Sequence, residues 1–309
     1  MNIAVTGSNG FVGSALVSWL KDRGHRVLRL VRSTGHSTGD CVAWDPGAGR
    51  IDAAGLEAVD AVVHLAGENI AARRWNTRQK ERIRASRVQG TELLTKTLGA
   101  LRLPPKVLVS ASAIGFYGSR GDEELDERSA SGQGFLAGVC RAWEAATQHA
   151  AEAGMRVVQL RFGIILSRNG GPLPKMLLPF LLGLGGRIGD GRQWMSWIAL
   201  DDVLGGIDHA IRNDGLRGPV NAVAPTPVTN REFTATLGKV LRRPALLPLP
   251  RLVARLAFGE MANELLLAST RVVPRALHQS NYQYLYPELA GALRHLLGQA
   301  PVQVACQNQ

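Results

Sequence analysis

The chain has 309 residues, 45% of them apolar and 20% charged, close to globular averages and unlike disordered, collagen-like or membrane-spanning chains. Its greasiest run, Met176 to Leu184, is broken by Pro179 and Gly183 and falls short of the roughly 18 apolar residues of a membrane span. The net charge of +11 invites a nucleic-acid reading, but only six of the 36 basic residues are lysines and the arginines are scattered, so anion recognition in small pockets is the better use of the charge.

The first residues, Asn2-Ile3-Ala4-Val5, lead directly into a glycine-rich turn without the basic and apolar segments of a signal peptide, so a cytoplasmic protein is expected, with no membrane partner. Val12, Ala15, Leu16, Trp19 and Leu20 then lie on one helical face, Gly24 stops that helix, and Arg26 to Arg32 reads as a second strand. This is a βαβ unit. Further strands are expected at 42–44, 61–65, 106–110, 156–160 and 220–222 with helices between most of them, which predicts an α/β fold with a doubly wound parallel sheet. From Ser167 to Gly191 glycines and prolines interrupt an apolar stretch, read as a partly helical excursion. Asp201-Asp202 is expected to cap a helix ending near Ile211, and Thr229-x-x-Glu232 is a capping-box signature. The last eighty residues read as mostly helical. The resulting division is a nucleotide-binding domain over 1–165, to which 195–224 returns, and a smaller, mostly helical lobe made of 166–194 and 225–309. Cys41, Cys140 and Cys306 show no disulfide or zinc spacing, and no metal site is expected.

The segment Gly7-Ser8-Asn9-Gly10-Phe11-Val12-Gly13 is a G-x-x-G-x-x-G turn between strand and helix, the context required for dinucleotide binding. Gly7 permits the tight turn, Gly10 the close approach of a pyrophosphate and Gly13 close helix-on-sheet packing, while the N–H groups of Phe11, Val12 and the helix start face the phosphates. After the second strand stands Val31-Arg32-Ser33, without the acidic residue that would hold a ribose 2′-hydroxyl. Arginine matches a 2′-phosphate, so NADP(H) is favoured over NAD(H), the alternative being that Arg32 is only a solvated strand end.

The glycine pattern, Val62 to Gly67, Ser110-Ala111-Ser112 with Tyr117-Gly118, and Ile198 to Val203 together resemble the extended short-chain dehydrogenase/reductase superfamily. More narrowly, Gly67-Glu68-Asn69-Ile70, Arg74-Trp75, Ser86-Arg87 and Gly183-x-Gly185-Gly186 resemble its "epimerase family protein" branch, whose ending, a short helical domain of unknown function, is similar to Tyr282-x-Tyr284-x-Tyr286-Pro287-Glu288-Leu289. The resemblance implies a Rossmann-like sheet holding NADP(H), Leu65 and Ala66 on the adenine and ribose side, and Gly163 and Ile164 passing the nicotinamide by their backbone. Arg87 is implied near the cofactor, a helix-surface arginine being the alternative.

Ordinary members of the superfamily use a tyrosine and, four residues later, a lysine that lowers the phenol pKa for proton exchange. Aligning Glu144 with the family's downstream glutamate puts Leu136 and Cys140 at those positions, and no tyrosine or lysine occurs between Gly118 and Lys175. Ser112 remains as a candidate substrate-orienting serine, with Ala113 as the alternative occupant of that place. Tyr117 is the one nearby phenol, a replacement acid or a packing residue. Glu68, Arg74 and Trp75 are candidates for a substrate pocket suited to an anionic or planar molecule, or for structural packing. The expectation is an NADP(H)-binding oxidoreductase acting on an unknown small molecule; a catalytically silent NADP(H) sensor with a protein partner is the alternative.

Overall fold

The computed structural model describes residues 1–32 and 39–299; Ser33 and Cys306 lie outside the described residues. In the first half of the chain the elements are β1 (Asn2–Thr6), α1 (Phe11–Lys21), β2 (Arg26–Val31), β3 (Cys41–Asp45), β4 (Arg50–Ile51), β5 (Ala61–His64), α2 (Thr77–Gly99) and β6 (Val107–Ala113). Then follow β7 (Glu124–Leu125), α3 (Phe135–Ala145), α4 (Gln148–Glu152), β8 (Arg156–Phe162), β9 (Ile164–Leu166), α5 (Leu173–Leu181), β10 (Trp194–Met195), β11 (Trp197–Ala199) and α6 (Leu200–Arg212). The remainder comprises β12 (Gly218–Ala222), β13 (Val228–Thr229), α7 (Asn230–Leu241), α8 (Arg251–Phe258), β14 (Arg271–Val272), α9 (Arg275–Gln279) and α10 (Leu289–Leu296). Among the described residues no helix is long and apolar enough to cross a membrane.

Eight strands form one sheet in the order β12-β8-β6-β5-β1-β2-β3-β4. Every neighbouring pair is parallel except β3 with β4. The central strands are covered on both faces, so β1 and β5 are continuous apolar runs rather than alternating ones. Ile3, Val5 and Val63 face Leu16 and Leu20 of α1 and Val203 and Ile207 of α6. Ala4, Val62 and Leu108 face the other way, toward Leu94 and Leu98 of α2 and Ala150 of α4. The chain leaves β1 toward β2 on one side and later enters β5 on the other. That reversal opens a crevice at the carboxyl ends of β1 and β5, where ligands of open α/β sheets bind.

A third apolar cluster joins Leu173 and Phe180 of α5 and Trp197 of β11 to Phe233 and Leu237 of α7 and to Leu289 and Leu293 of α10. Helix α7 opens with the expected capping box: Glu232 N donates to Thr229 Oγ1 at 3.2 Å while Thr229 N donates to Glu232 Oε2 at 2.7 Å, an arrangement that contributes about 1 kcal/mol. The expectation for Asp201-Asp202 is corrected. Ala199 is the residue before α6, and Asp202 lies within its first turn, fully buried. Its carboxylate instead accepts the backbone N–H groups of Leu285 at 2.7 Å and Tyr286 at 3.0 Å, and its carbonyl takes the Tyr282 hydroxyl at 2.9 Å. Asp202 thereby ties the tyrosine-rich ending onto α6.

The carboxyl-terminal region is less helical than expected, because α8, α9 and α10 are short and separated by extended segments. The acidic run at 122–127, exposed at Asp122, Glu123 and Glu124, is nevertheless partnered. Asp122 accepts the Trp194 indole N–H, Glu123 pairs with Arg120, Glu124 with Arg271 and Asp126 with Arg275. Glu127 Oε1 accepts from Asn221 N and Ala276 N. The run fastens the loop after β6 to the carboxyl-terminal segments.

Candidate cofactor and substrate site

The glycine turn lies at the mouth of the crevice. Gly7 has φ of +65°, and a side chain there would meet the Leu65 backbone at 2.8 Å; one at Gly13 would fall on the Gly7 carbonyl oxygen. Both positions therefore demand glycine. No side chain caps α1, whose N-cap is Gly10, so its first N–H groups are left for an anion. Thr6 Oγ1 accepts from Leu65 N at 3.0 Å and Ala66 N at 3.1 Å, which locks the ends of β1 and β5 together on the side where adenine and ribose are expected.

That hydroxyl begins a buried chain of hydrogen bonds. Having accepted two amides, Thr6 Oγ1 donates its proton to His64 Nδ1 at 2.8 Å; His64 Nε2 then donates to Thr91 Oγ1 at 2.9 Å, and Thr91 donates to the Arg87 carbonyl at 2.6 Å. The partners fix the tautomer. Burial drives the His64 pKa down from 6.5 to about 4, so the imidazole is neutral.

Arg32 is exposed immediately after β2. Sequence reasoning missed Arg29, which stands opposite Val5 and donates from Nη2 to Asn9 Oδ1 at 3.0 Å. The signal was the period of 2 along β2, which puts Arg29 on the same sheet face as α1 and the turn. Its Nε and the Ser8 hydroxyl are buried without a hydrogen-bond partner. A cradle that a Cβ would fill, an uncapped helix start and two unpartnered polar atoms at one turn fit a dinucleotide. Phe11 places its ring over Gly170 and Gly171, where any side chain would collide with it, so the glycine-rich excursion closes against the turn.

Gly163 is needed for packing: a Cβ would meet Ser196 O at 2.6 Å and Val223 Cγ1 at 2.8 Å. Ile164 N donates to Ser196 O at 2.9 Å and the strand continues as β9 beside β11, so this amide is committed to the fold.

Arg87 is not a helix-surface arginine. Its Nη1 donates to the carbonyls of Glu68 at 3.0 Å and Ile83 at 3.2 Å, its guanidinium lies 5.0 Å from the Trp143 ring, and burial lowers its pKa. Ser86 Oγ accepts from Glu68 N at 3.0 Å. The motifs Gly67-Glu68 and Ser86-Arg87, distant in sequence, are thus one contact. Trp75, by contrast, packs with Phe135, Leu136 and Met261 and spends its indole N–H on the Ile70 carbonyl at 2.7 Å. This is core packing. Arg74 remains exposed, its guanidinium against Gly259 at the end of α8.

The structure draws the candidate catalytic residues into a structural network, and for Tyr117 the packing alternative matches its position. Ser112 is buried and donates to Glu144 Oε1 at 2.6 Å. Glu144 is held by Arg161, whose Nε and Nη2 donate to its two oxygens at 2.8 Å each. Arg161 Nη1 donates to the Tyr117 hydroxyl at 2.9 Å, and that hydroxyl donates to Asn221 Oδ1 at 2.7 Å. Tyr117 is fully buried, and burial raises its pKa to about 12 against the pull of Arg161. Ser112 and Tyr117 have each already donated the hydroxyl proton within this network. Sequence reasoning missed Arg161 because a charge in a central strand carries no periodic signal. Leu136 and Cys140, one turn apart on α3, both pack against Gly115 after β6. Burial, reinforced by Glu144, raises the Cys140 thiol to about 12, so it is a core residue rather than a nucleophile. Among the described residues no cluster suited to a metal ion occurs.

A doubly wound parallel sheet with a glycine cradle at its reversal point defines a nucleotide-binding α/β protein of the extended short-chain dehydrogenase/reductase superfamily. The chain belongs to the NAD dependent epimerase/dehydratase family, which it matches over residues 3–222, and a domain of unknown function, DUF1731, follows over 249–296. An epimerase family protein of Mycobacterium tuberculosis is 43% identical over 291 residues, covering 94% of this chain and 96% of that one. Epimerase family protein SDR39U1 of Homo sapiens is 38% identical over 300 residues, covering 96% and 100%. The crystal structure of human SDR39U1 (isoform 2) with NADPH superposes with a TM-score of 0.88 at 37% identity, over 97% of this chain and 100% of that one.

Proposed function

We propose that the protein is an NADP(H)-dependent oxidoreductase that acts on a small molecule by hydride transfer and takes the accompanying proton from water. One observation carries the reading: the glycine cradle is complete at the sheet reversal, with Arg32 exposed beyond β2, whereas α3 carries no tyrosine or lysine. NADP(H) supplies the hydride chemistry. Gly7, Asn9, Gly10, Phe11, Val12 and Gly13 hold the pyrophosphate at the start of α1, Leu65 and Ala66 bound the adenosine, and Arg32 pairs with the 2′-phosphate. The human relative crystallised with NADPH supports this assignment. Glu68 and Arg74, beyond β5, remain the polar groups offered to a substrate.

The test is a titration with NADPH, NADP⁺, NADH and NAD⁺ followed by thermal shift and tryptophan quenching, then repeated on Arg32→Ala. Micromolar binding of the phosphorylated pair, lost in the variant, is expected; a preference for NADH would sink the assignment. Bound NADPH then reports turnover through its absorbance in a screen of carbonyl and quinone substrates.

A second reading, a catalytically silent NADP(H) sensor acting through a protein partner, is favoured by one specific feature. Ser112 and Tyr117 are sealed in the Glu144–Arg161 network and offer no proton to the cleft. It requires a partner whose affinity differs between apo and NADP(H)-bound protein. Turnover with any small molecule would rule it out.

A further inference from the structure

Ten of the thirteen large apolar side chains that stand exposed among the described residues fall within residues 173–189 and 242–258. Backbone hydrogen bonds from Leu247 N to Gly185 O and from Leu249 N to Arg187 O join these segments, so the residues form one face. Leu182, Leu246, Leu252 and Leu256 are 64%, 82%, 68% and 67% exposed. Helix α8 buries only Ala254. A contiguous apolar face of this extent is not a stable surface toward water.

The charges within it have a single sign, with carboxylates only at its borders, Asp190 and Glu260. The two segments contain Lys175, Arg187, Arg242, Arg243, Arg251 and Arg255 and no acidic residue. Arg251 lies near Asp190, whose pKa is held down first by the Arg192 backbone N–H and then by that arginine, but it makes no salt bridge shorter than 4 Å, nor does any of the other five among the described residues. A two-fold contact between copies would set six basic residues against six with only the bordering Asp190 and Glu260 to answer, the latter already paired with Lys80, which disfavours self-association. A uniformly anionic layer with an apolar interior answers both features.

We infer that the α5–α8 face docks on an anionic phospholipid surface, with its leucines in the acyl boundary and its lysine and arginines at the headgroups. A short helix with leucine and phenylalanine toward the layer and arginines reaching back to the phosphates is the interfacial arrangement expected of such a face. Lying in the interface plane needs no spanning segment. The inference departs from the expectation of no membrane partner, and it does not depend on the reaction catalysed.

The full chain is to be sedimented with vesicles of phosphatidylcholine alone and with vesicles containing about one-third phosphatidylglycerol. Binding at least about ten-fold stronger to the anionic vesicles and weakening as salt rises is expected. Leu252→Asp/Leu256→Asp, at exposed positions, should abolish it while NADPH affinity and thermal midpoint stay unchanged; Arg242→Gln/Arg243→Gln should weaken it. Equal binding to both vesicle types, or binding that survives the leucine substitutions, would overturn the proposal. A concentration-dependent dimer that the same leucine substitutions dissociate, without vesicle binding, would reassign the face to a second copy. Capture of polyglutamate without vesicle binding would reassign it to an acidic protein.

Discussion

Glu144 and Arg161 form a two-pronged ion pair beneath the cleft, with Nε and Nη2 of the arginine each 2.8 Å from a carboxylate oxygen and side chains only 13% and 4% exposed. The pair is a structural joint between α3 and β8. It links Ser112 on β6, α3, β8, Tyr117 and, through Asn221, β12.

Removing one partner leaves a buried charge unanswered. Glu144→Gln or Arg161→Met is expected to cost about 3–5 kcal/mol, read as a lower urea midpoint with an unchanged slope. The double variant Glu144→Leu/Arg161→Met should recover part of that loss. Additive losses would mean that the two side chains do not act as a pair.

Tyr117→Phe separates the structural role from a catalytic one. It deletes the hydroxyl between Arg161 and Asn221, at a cost of about 1–3 kcal/mol, and should leave kcat of any turnover and its pH profile unchanged. Loss of kcat with normal stability would restore Tyr117 as the proton donor.

His64 gives stability a defined pH dependence. Its native pKa of about 4 lies below the unfolded value of 6.5, so between these values the unfolded chain binds more protons. Its contribution is therefore fully present above about pH 6.5 and declines as pH falls toward 4, by at most about 3 kcal/mol. In His64→Gln, less stable overall, that slope should vanish from the urea midpoint plotted against pH; an unchanged slope would assign the dependence to other groups.

Gly13→Ala puts a methyl group on the Gly7 carbonyl. Calorimetry should show NADPH and NADH affinity lost together, unlike Arg32→Ala, which should weaken NADPH alone by about ten-fold or more. Full affinity in Gly13→Ala would mean that the turn is not the pyrophosphate site.

Cys140 should resist alkylation in the native protein at pH 8, because burial holds its thiol up at about 12. Peptide mapping after iodoacetamide should find Cys140 modified only once the chain is unfolded. Rapid native labelling would show that α3 opens.

The local grammar of the chain determined a good deal by itself. The glycine spacing after an apolar strand marked the dinucleotide turn, because a side chain at Gly7, at φ of +65°, would strike the Leu65 backbone and one at Gly13 would strike the Gly7 carbonyl. The alternation of strands and helices marked the parallel sheet, and Thr229-x-x-Glu232 marked the start of α7, since each depends on neighbours in sequence. The missing tyrosine and lysine were legible for the same reason. What lay outside that grammar was the partner of each polar residue. Ser112 was a candidate until Glu144 accepted its proton, and Tyr117 and Trp75 stood open between a site role and packing until Arg161 and Met261 closed on them; Asp202 looked like a helix cap until residues 285 and 286 supplied its N–H groups. A side chain's chemistry depends on whether its hydrogen bonds are already spent, and in this protein they are spent on residues far away in the chain, which only the tertiary structure brings within reach.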